Sequence, residues 1–205
     1  TESSPVACMN PLDGSSKAGS IGLPVPGTSI EIISLEDRKT QMPLGEVGEV
    51  CIRGPQIMKG YWRREDATAD ALADGRLHTA DVGYMDEQGY TFIVDRLKDM
   101  ILVNGYNVYP RNIEEAIYLH DSVEECVVAG IADPKRGEMP KAWIKLKSGK
   151  SLDDAGLKDF LKDKLSPMEM PRAIEFREEP LPKTLIGKLS RKDLLDQEDA
   201  KKPAN

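Results

Sequence analysis

The alternation of apolar and polar positions predicts most of the elements in this chain. From Ala7 to Gly27 the sequence is rich in Gly, Ser and Pro with little periodicity, which predicts ordered loop laid over another part of the protein. "TSIEIISLEDRKTQMPLGEVGEVCIRG" then alternates apolar and polar residues on both sides of a Pro- and Gly-containing turn, the pattern of a β-hairpin. "VGYMDEQGYTFIVD" repeats that pattern around the shorter turn Asp86-Glu87-Gln88-Gly89, and "REDATADAL" between the two reads as a helical insert. Residues 1–94 are therefore expected to form a small antiparallel β unit.

The texture changes at Asp95-Arg96-Leu97-Lys98-Asp99, where four charged residues in five separate two apolar strands; residues 95–99 are a candidate hinge. After them, "MILVNGYNVY" holds Asn104-Gly105 between apolar residues, the strongest short-range hairpin signal. Pro110 opens a helix with Ile113, Ala116 and Ile117 on one face. "VEECVVAGIAD" and "PKAWIKLK" read as strands. A helix follows, capped by Ser151 with Asp154 three residues on, and buries Leu157, Phe160, Leu161 and Leu165; "RAIEFRE" supplies a last strand. The order ββαββαβ predicts a compact α+β module over 100–195, a short sheet flanked by helices, with 196–205 as a frayed tail.

Composition narrows the function classes. Apolar residues make up 40% of 205, enough for ordinary cores. The formal charge of −7, from 28 Lys+Arg against 35 Asp+Glu, argues against a nucleic-acid backbone or an anionic membrane surface as the main partner. Cys8, Cys51 and Cys126 are widely spaced with no CxxC pattern, so neither a disulfide framework nor a zinc site is indicated; a reducing cytoplasm fits best, and Cys51 and Cys126 read as core thiols. No apolar run approaches the roughly 20 residues of an integral membrane segment, which leaves only peripheral membrane association open. The opening Thr-Glu without Met reads as a fragment of something longer.

No self-contained catalytic motif is present, and with only His78 and His120 a His-centred triad or metal site is not indicated. Single charged residues at element edges remain. Lys188 follows Gly187, whose missing side chain lets the backbone move, so its ammonium is placed to reach phosphate or carboxylate oxygens; the alternative is a solvated surface lysine. Asp81, where a strand begins, has the chemistry to accept two sugar hydroxyls, or simply to cap a turn.

Three stretches in order, "GEVGEVCIRGPQIMKGYW", "RLHTADVGYMDEQGYTFIVDRLKDMILVNGYNVYPRNIEEAI" and "PKTLIGKLSRKDL", closely resemble the C-terminal part of the adenylate-forming acyl-CoA synthetases, the superfamily that includes luciferases and the adenylation domains of peptide synthetases. The resemblance runs from Thr1 to Leu195 and is strongest to bacterial medium- to long-chain fatty acyl-CoA ligases. It implies a two-step ligase: a small-molecule carboxylate attacks Mg-ATP to give acyl-adenylate and pyrophosphate, and CoA thiol then displaces AMP. It further implies that Thr1 contacts phosphate, that Glu2 helps hold Mg²⁺, that Asp81 and Arg96 bind the nucleotide ribose, and that Lys98 is the hinge. Lys188 would bridge carboxylate and nucleotide in the first step; after the C-terminal domain swings, Asn104 and Gly105 would line the CoA tunnel. Thr79-Ala80-Asp81 departs from the family's Thr-Gly-Asp, which puts the local turn in question. The phosphate-cradling loop and most of the acyl pocket would belong to the missing N-terminal domain, so the 205 residues alone are expected to be inactive. A carrier-protein acyl or aminoacyl adenylating enzyme and a non-catalytic nucleotide-binding module are the alternatives; oligomeric state is not read from the sequence.

Overall fold

A computed structural model describes residues 1–201. The chain divides into two compact units, Thr1–Lys98 and Asp99–Asn205. The class is mixed α+β, and among the described residues no helix is long and apolar enough to cross a membrane.

The first unit is one antiparallel sheet of six strands, β1 (Cys8–Met9), β2 (Ser20–Pro24), β3 (Ser29–Ile33), β4 (Gly48–Arg53), β5 (Leu77–Met85) and β6 (Thr91–Arg96), in the order β1-β2-β6-β5-β4-β3. The expected hairpins are β3 (Ser29–Ile33) with β4 (Gly48–Arg53), and β5 (Leu77–Met85) with β6 (Thr91–Arg96). The helical insert is α1, Glu65–Ala71. Ile30, Ile32, Val50, Ile52 and Leu77 form the apolar core on one face. The segment 7–27 differs from the reading as loop: it contributes β1 (Cys8–Met9) and β2 (Ser20–Pro24), paired with each other, and β2 also pairs with β6. Backbone hydrogen bonds make these strands, and Gly22 is the only buried residue in them, so no apolar alternation marks them.

The second unit is built on β10 (Gly137–Leu146), which pairs antiparallel with β9 (Val123–Asp133) and parallel with β11 (Ala173–Arg177), and meets the hairpin of β7 (Ile101–Val103) and β8 (Tyr106–Val108) at Gly137↔Val103. Strand periodicity divides its apolar residues between two faces. Cys126, Val128, Ala142 and Ile144 pack with Ile113 and Ile117 of α2 (Pro110–Tyr118) and with Leu157 and Leu161 of α3 (Asp154–Leu161). Val127, Ala129 and Trp143 point the other way and pack with Leu181 and Leu194. The hairpin turn has both Asn104 (φ 51°) and Gly105 (φ 82°) in the left-handed region, as a type I′ turn requires.

Two details depart from the sequence reading. The cap of α3 is Asp153, whose Oδ1 accepts from Gly156 N at 2.8 Å, instead of Ser151; Asp153 lies immediately before the first helical residue, where a side chain reaches the orphan amides. A fourth helix, α4 (Arg191–Ala200), follows the Ser190 cap, so 196–200 are helical where a frayed tail was expected; 202–205 of that tail lie outside the described residues. Leu194 is the one buried residue of α4, and polar contacts hold the rest, which is why its apolar pattern is weak: Lys141 Nζ reaches both Glu175 Oε2 and Glu198 Oε2 at 2.8 Å, and Arg177 reaches Gln197 at 2.8 Å.

This clamp has an acid limit. Burial pushes Glu175 up, but hydrogen bonds from Lys141, Lys201 and Arg177 outweigh it and hold the carboxyl at about 2 against an ordinary 4.5. A depressed carboxyl contributes stability that is present above its unfolded pKa and lost as pH falls through its folded one. Amide exchange in 191–200 should therefore accelerate as pH falls from 4.5 towards about 2 relative to Glu175→Gln, after correction for intrinsic exchange. Parallel profiles for the two proteins would reject this account.

Candidate active site

On β4, Val50 and Ile52 face the apolar core, so Glu49 and Cys51 face the other way; His78, the register partner of Cys51, joins them. All three are buried. His78 Nδ1 donates to Glu49 Oε2 at 2.7 Å, and Cys51 Sγ lies 3.4 Å from the same nitrogen. The ligand atoms lie within 4.8 Å of one another, a spacing compatible with a metal ion. However, the ring nitrogen that faces the others is already engaged by Glu49, and burial with the nearby Glu49 charge pushes the Cys51 thiol up to about 12. The Cys51 thiol therefore stays protonated, and the cluster is a hydrogen-bonded network centred on His78 Nδ1.

Beside it, β5 is interrupted. Glu49 pairs with Val82 and Cys51 with His78, so Thr79, Ala80 and Asp81 together stand opposite Val50, and the ladder bulges. Asp81 is the register partner of Arg96 at the end of β6, with Arg96 Nε 3.0 Å from Asp81 Oδ1. Burial pushes the Asp81 carboxyl above the ordinary 3.8, against the pull of Arg96. The bulge opens onto a cleft of about 660 Å³ whose lining includes Thr1, Glu2, Arg38, Tyr61, Asp70, Ala80, Asp81 and Arg96. That volume suits a small-molecule ligand. Tyr61 Oη donates to Glu2 Oε1 at 3.0 Å, and Glu2's own backbone amide and this hydroxyl hold its carboxyl below the usual range.

Thr1, Glu2, Asp81 and Arg96 are therefore brought together within the first unit. Lys98 ends that unit, exposed in a 3-10 turn over Leu97–Asp99. Arg38, Glu49 and Asp70 at the same cleft were not singled out from sequence. Each is one charged residue in a charged chain, and only the register of β4 against β5 makes Glu49 a neighbour of the bulge.

Lys188, Asn104 and Gly105 belong to the second unit. Leu181, buried at 2% exposure, anchors the segment before Lys188, and its N–H donates to Glu125 Oε2 at 2.8 Å; Lys183 Nζ binds Glu125 Oε1 at 2.6 Å. Around Gly187, whose missing side chain allows backbone freedom, the chain forms a hydrogen-bonded turn: Thr184 N donates to Lys188 O at 2.7 Å, and Gly187 N to Thr184 O at 2.8 Å. Lys188 is exposed at this turn and forms no ion pair with any described residue. Arg191, three residues on, fixes the base by donating to Val128 O and both oxygens of Glu114 at 2.8 Å.

Comparison with known proteins points one way. The AMP-binding enzyme family matches residues 1–62, and the AMP-binding enzyme C-terminal domain matches 112–188. The chain is 48% identical over 198 residues to a long-chain fatty acid–CoA ligase of Bacillus subtilis and 43% identical over 197 residues to one of Escherichia coli, covering 97% and 96% of this chain but 35% and 34% of those proteins. It thus spans about a third of their length. Among solved structures, ATP-bound MatB from Rhodopseudomonas palustris superposes with a TM-score of 0.85 at 33% identity, over 94% of this chain and 38% of that one. The o-succinylbenzoate CoA synthetase of Bacillus subtilis with its acyl-adenylate intermediate gives 0.78 at 33%, over 87% and 36%. With both AMP-binding matches in order and this identity along nearly its whole length, the chain belongs to the AMP-binding enzyme family.

Proposed function

We propose that the chain works within a long-chain fatty acid–CoA ligase, which joins a fatty acid to AMP at the expense of ATP, releasing pyrophosphate, and then passes the acyl group to the thiol of CoA, releasing AMP. The observation that carries this reading is the convergence of Thr1, Glu2, Asp81 and Arg96 on one cleft, in a chain whose relatives are such ligases. In this reading Asp81 accepts the two ribose hydroxyls, Arg96 holds Asp81 and reaches the same sugar, and Thr1 donates to phosphate. A carboxylate lining the cleft suits Mg²⁺, which takes one or two carboxylates and leaves its other positions to phosphate and water. Glu2 would hold it there, and the ion would neutralise phosphate charge. Lys188 enters for the first step. Lys98 is the hinge, and the Asn104-Gly105 turn lines the CoA thiol's path in the second step.

In the full-length protein, pyrophosphate exchange should depend on fatty acid, and AMP release should require CoA in addition. Absence of exchange with every chain length would overturn the ligase reading; exchange with no CoA-dependent release would point to another acyl acceptor. The raised Asp81 pKa adds a signature, because only the charged carboxylate accepts both hydroxyls. AMP affinity should rise with pH through a midpoint above 3.8 and then level off, and Asp81→Asn should flatten that rise. An unchanged profile in the variant would remove Asp81 from the nucleotide site.

A further inference from the structure

We infer that Glu49 is the positioning residue of this site: its buried carboxylate holds the Thr79-Ala80-Asp81 bulge in a backbone conformation that alanine disfavours, and so sets Asp81 at the cleft. The inference rests on the reading of Asp81 as a nucleotide ligand. Ala80 has φ +58°, in the left-handed region where a Cβ crowds the following carbonyl. Pairing with β4 does not fix that conformation, because Thr79, Ala80 and Asp81 bulge out of its ladder, while on the β6 side only Asp81 is paired, with Arg96. Side chains fix it instead. Ala80 N–H donates to Glu49 Oε1 at 3.0 Å, Thr79 Oγ1 donates to Val50 O at 2.7 Å, and Asp81 N–H donates to Thr79 Oγ1 at 3.1 Å.

Glu49 is 1% exposed, and a carboxylate so buried is costly unless its oxygens are engaged. One oxygen takes Ala80 N; the other takes His78 Nδ1 at 2.7 Å, with Arg38 Nε 3.8 Å away. A position needing only packing would carry an apolar residue, as Val50 and Ile52 do on the other face. Glycine at 80 would adopt this φ without help; alanine needs the carboxylate. Glu49 and Ala80 are therefore energetically coupled, which accounts for an alanine at this turn.

The test is a set of variants of the full-length protein read by AMP affinity and by the KM for ATP. Glu49→Ala should weaken AMP by about tenfold, the effect of one lost positioning hydrogen bond, and raise the ATP KM similarly. kcat at saturating ATP and the fatty-acid KM should stay within about twofold, since the loss is uniform binding of the nucleotide. Glu49→Gln keeps an acceptor for Ala80 N and should retain most of the affinity. Adding Ala80→Gly to Glu49→Ala should restore much of what was lost, and an equal loss with and without Ala80→Gly overturns the coupling. Hydrogen exchange at the Ala80 amide of the unmodified protein gives a second reading that needs no variant to fold: protection supports the bond to Glu49, and exchange at the rate of an open loop overturns it. Unchanged AMP binding in Asp81→Asn would instead sink the nucleotide reading, whatever the exchange shows.

Discussion

Lys188→Ala in the full-length protein should lower fatty-acid-dependent ATP–pyrophosphate exchange by about a hundred- to a thousandfold, the ~3–4 kcal/mol that one preplaced donor contributes to a charged transition state. That size of effect rests on the proposed role of Lys188 in the first step; an ordinary surface lysine would give a near-zero effect. The turn is closed by two backbone hydrogen bonds, and its base is held by Leu181, Lys183 and Arg191. Lys188 also has no carboxylate partner among the described residues to give up before meeting a phosphate. Transfer from preformed acyl-adenylate to CoA should be much less affected, because the proposed second step uses the Asn104-Gly105 face. Equal loss in both half-reactions would mean the substitution disturbs the whole unit, and no loss in exchange would return Lys188 to the surface.

Trp143→Ala should cost ~3–4 kcal/mol of stability, within the range for a large aromatic removed from a core. Trp143 is fully buried among Val127, Ala129, Leu181 and Leu194, and Lys141 Nζ lies 4.9 Å from its ring centroid. Its indole Nε1 has no partner among the described residues, which offsets part of the packing gain and places the loss below the largest aromatic truncations. Trp143→Phe keeps most of the ring and removes the orphan donor, so it should cost under ~1 kcal/mol. Denaturant unfolding followed by circular dichroism would check both, and a Phe loss well above ~1 kcal/mol would show that Nε1 is hydrogen-bonded. The two packing partners most exposed to this change are Leu181 and Leu194, which flank the Lys188 turn in sequence. Trp143→Ala should therefore also lower pyrophosphate exchange, while Trp143→Phe preserves it.

Much of the fold was legible because its signals are local. Asn104-Gly105 supplies the two left-handed positions of a type I′ turn, Pro110 starts α2, and Ile113, Ala116 and Ile117 recur on one helical face and are buried there. The elements that escaped lack such signals. β1 and β2 are made by backbone pairing with one buried residue between them, and α4 is held by Lys141, Arg177 and their acidic partners from distant strands. Ser151 and Asp153 are both competent caps by residue type, and only the position of the first helical residue selected Asp153.

The same division runs through the candidate site. The sequence by itself determined the family, since the order and spacing of its motifs survive without coordinates, and with it the expected roles of Thr1, Glu2, Asp81, Arg96 and Lys188. Only the tertiary structure decided that the first four of these share a cleft, that the lysine sits on a hydrogen-bonded turn, and that Ala80 sits at φ +58° against a buried Glu49. The reason is range: a turn or a helical face is written in neighbouring residues, whereas a bulge and the carboxylate that holds it meet only through the register of two strands.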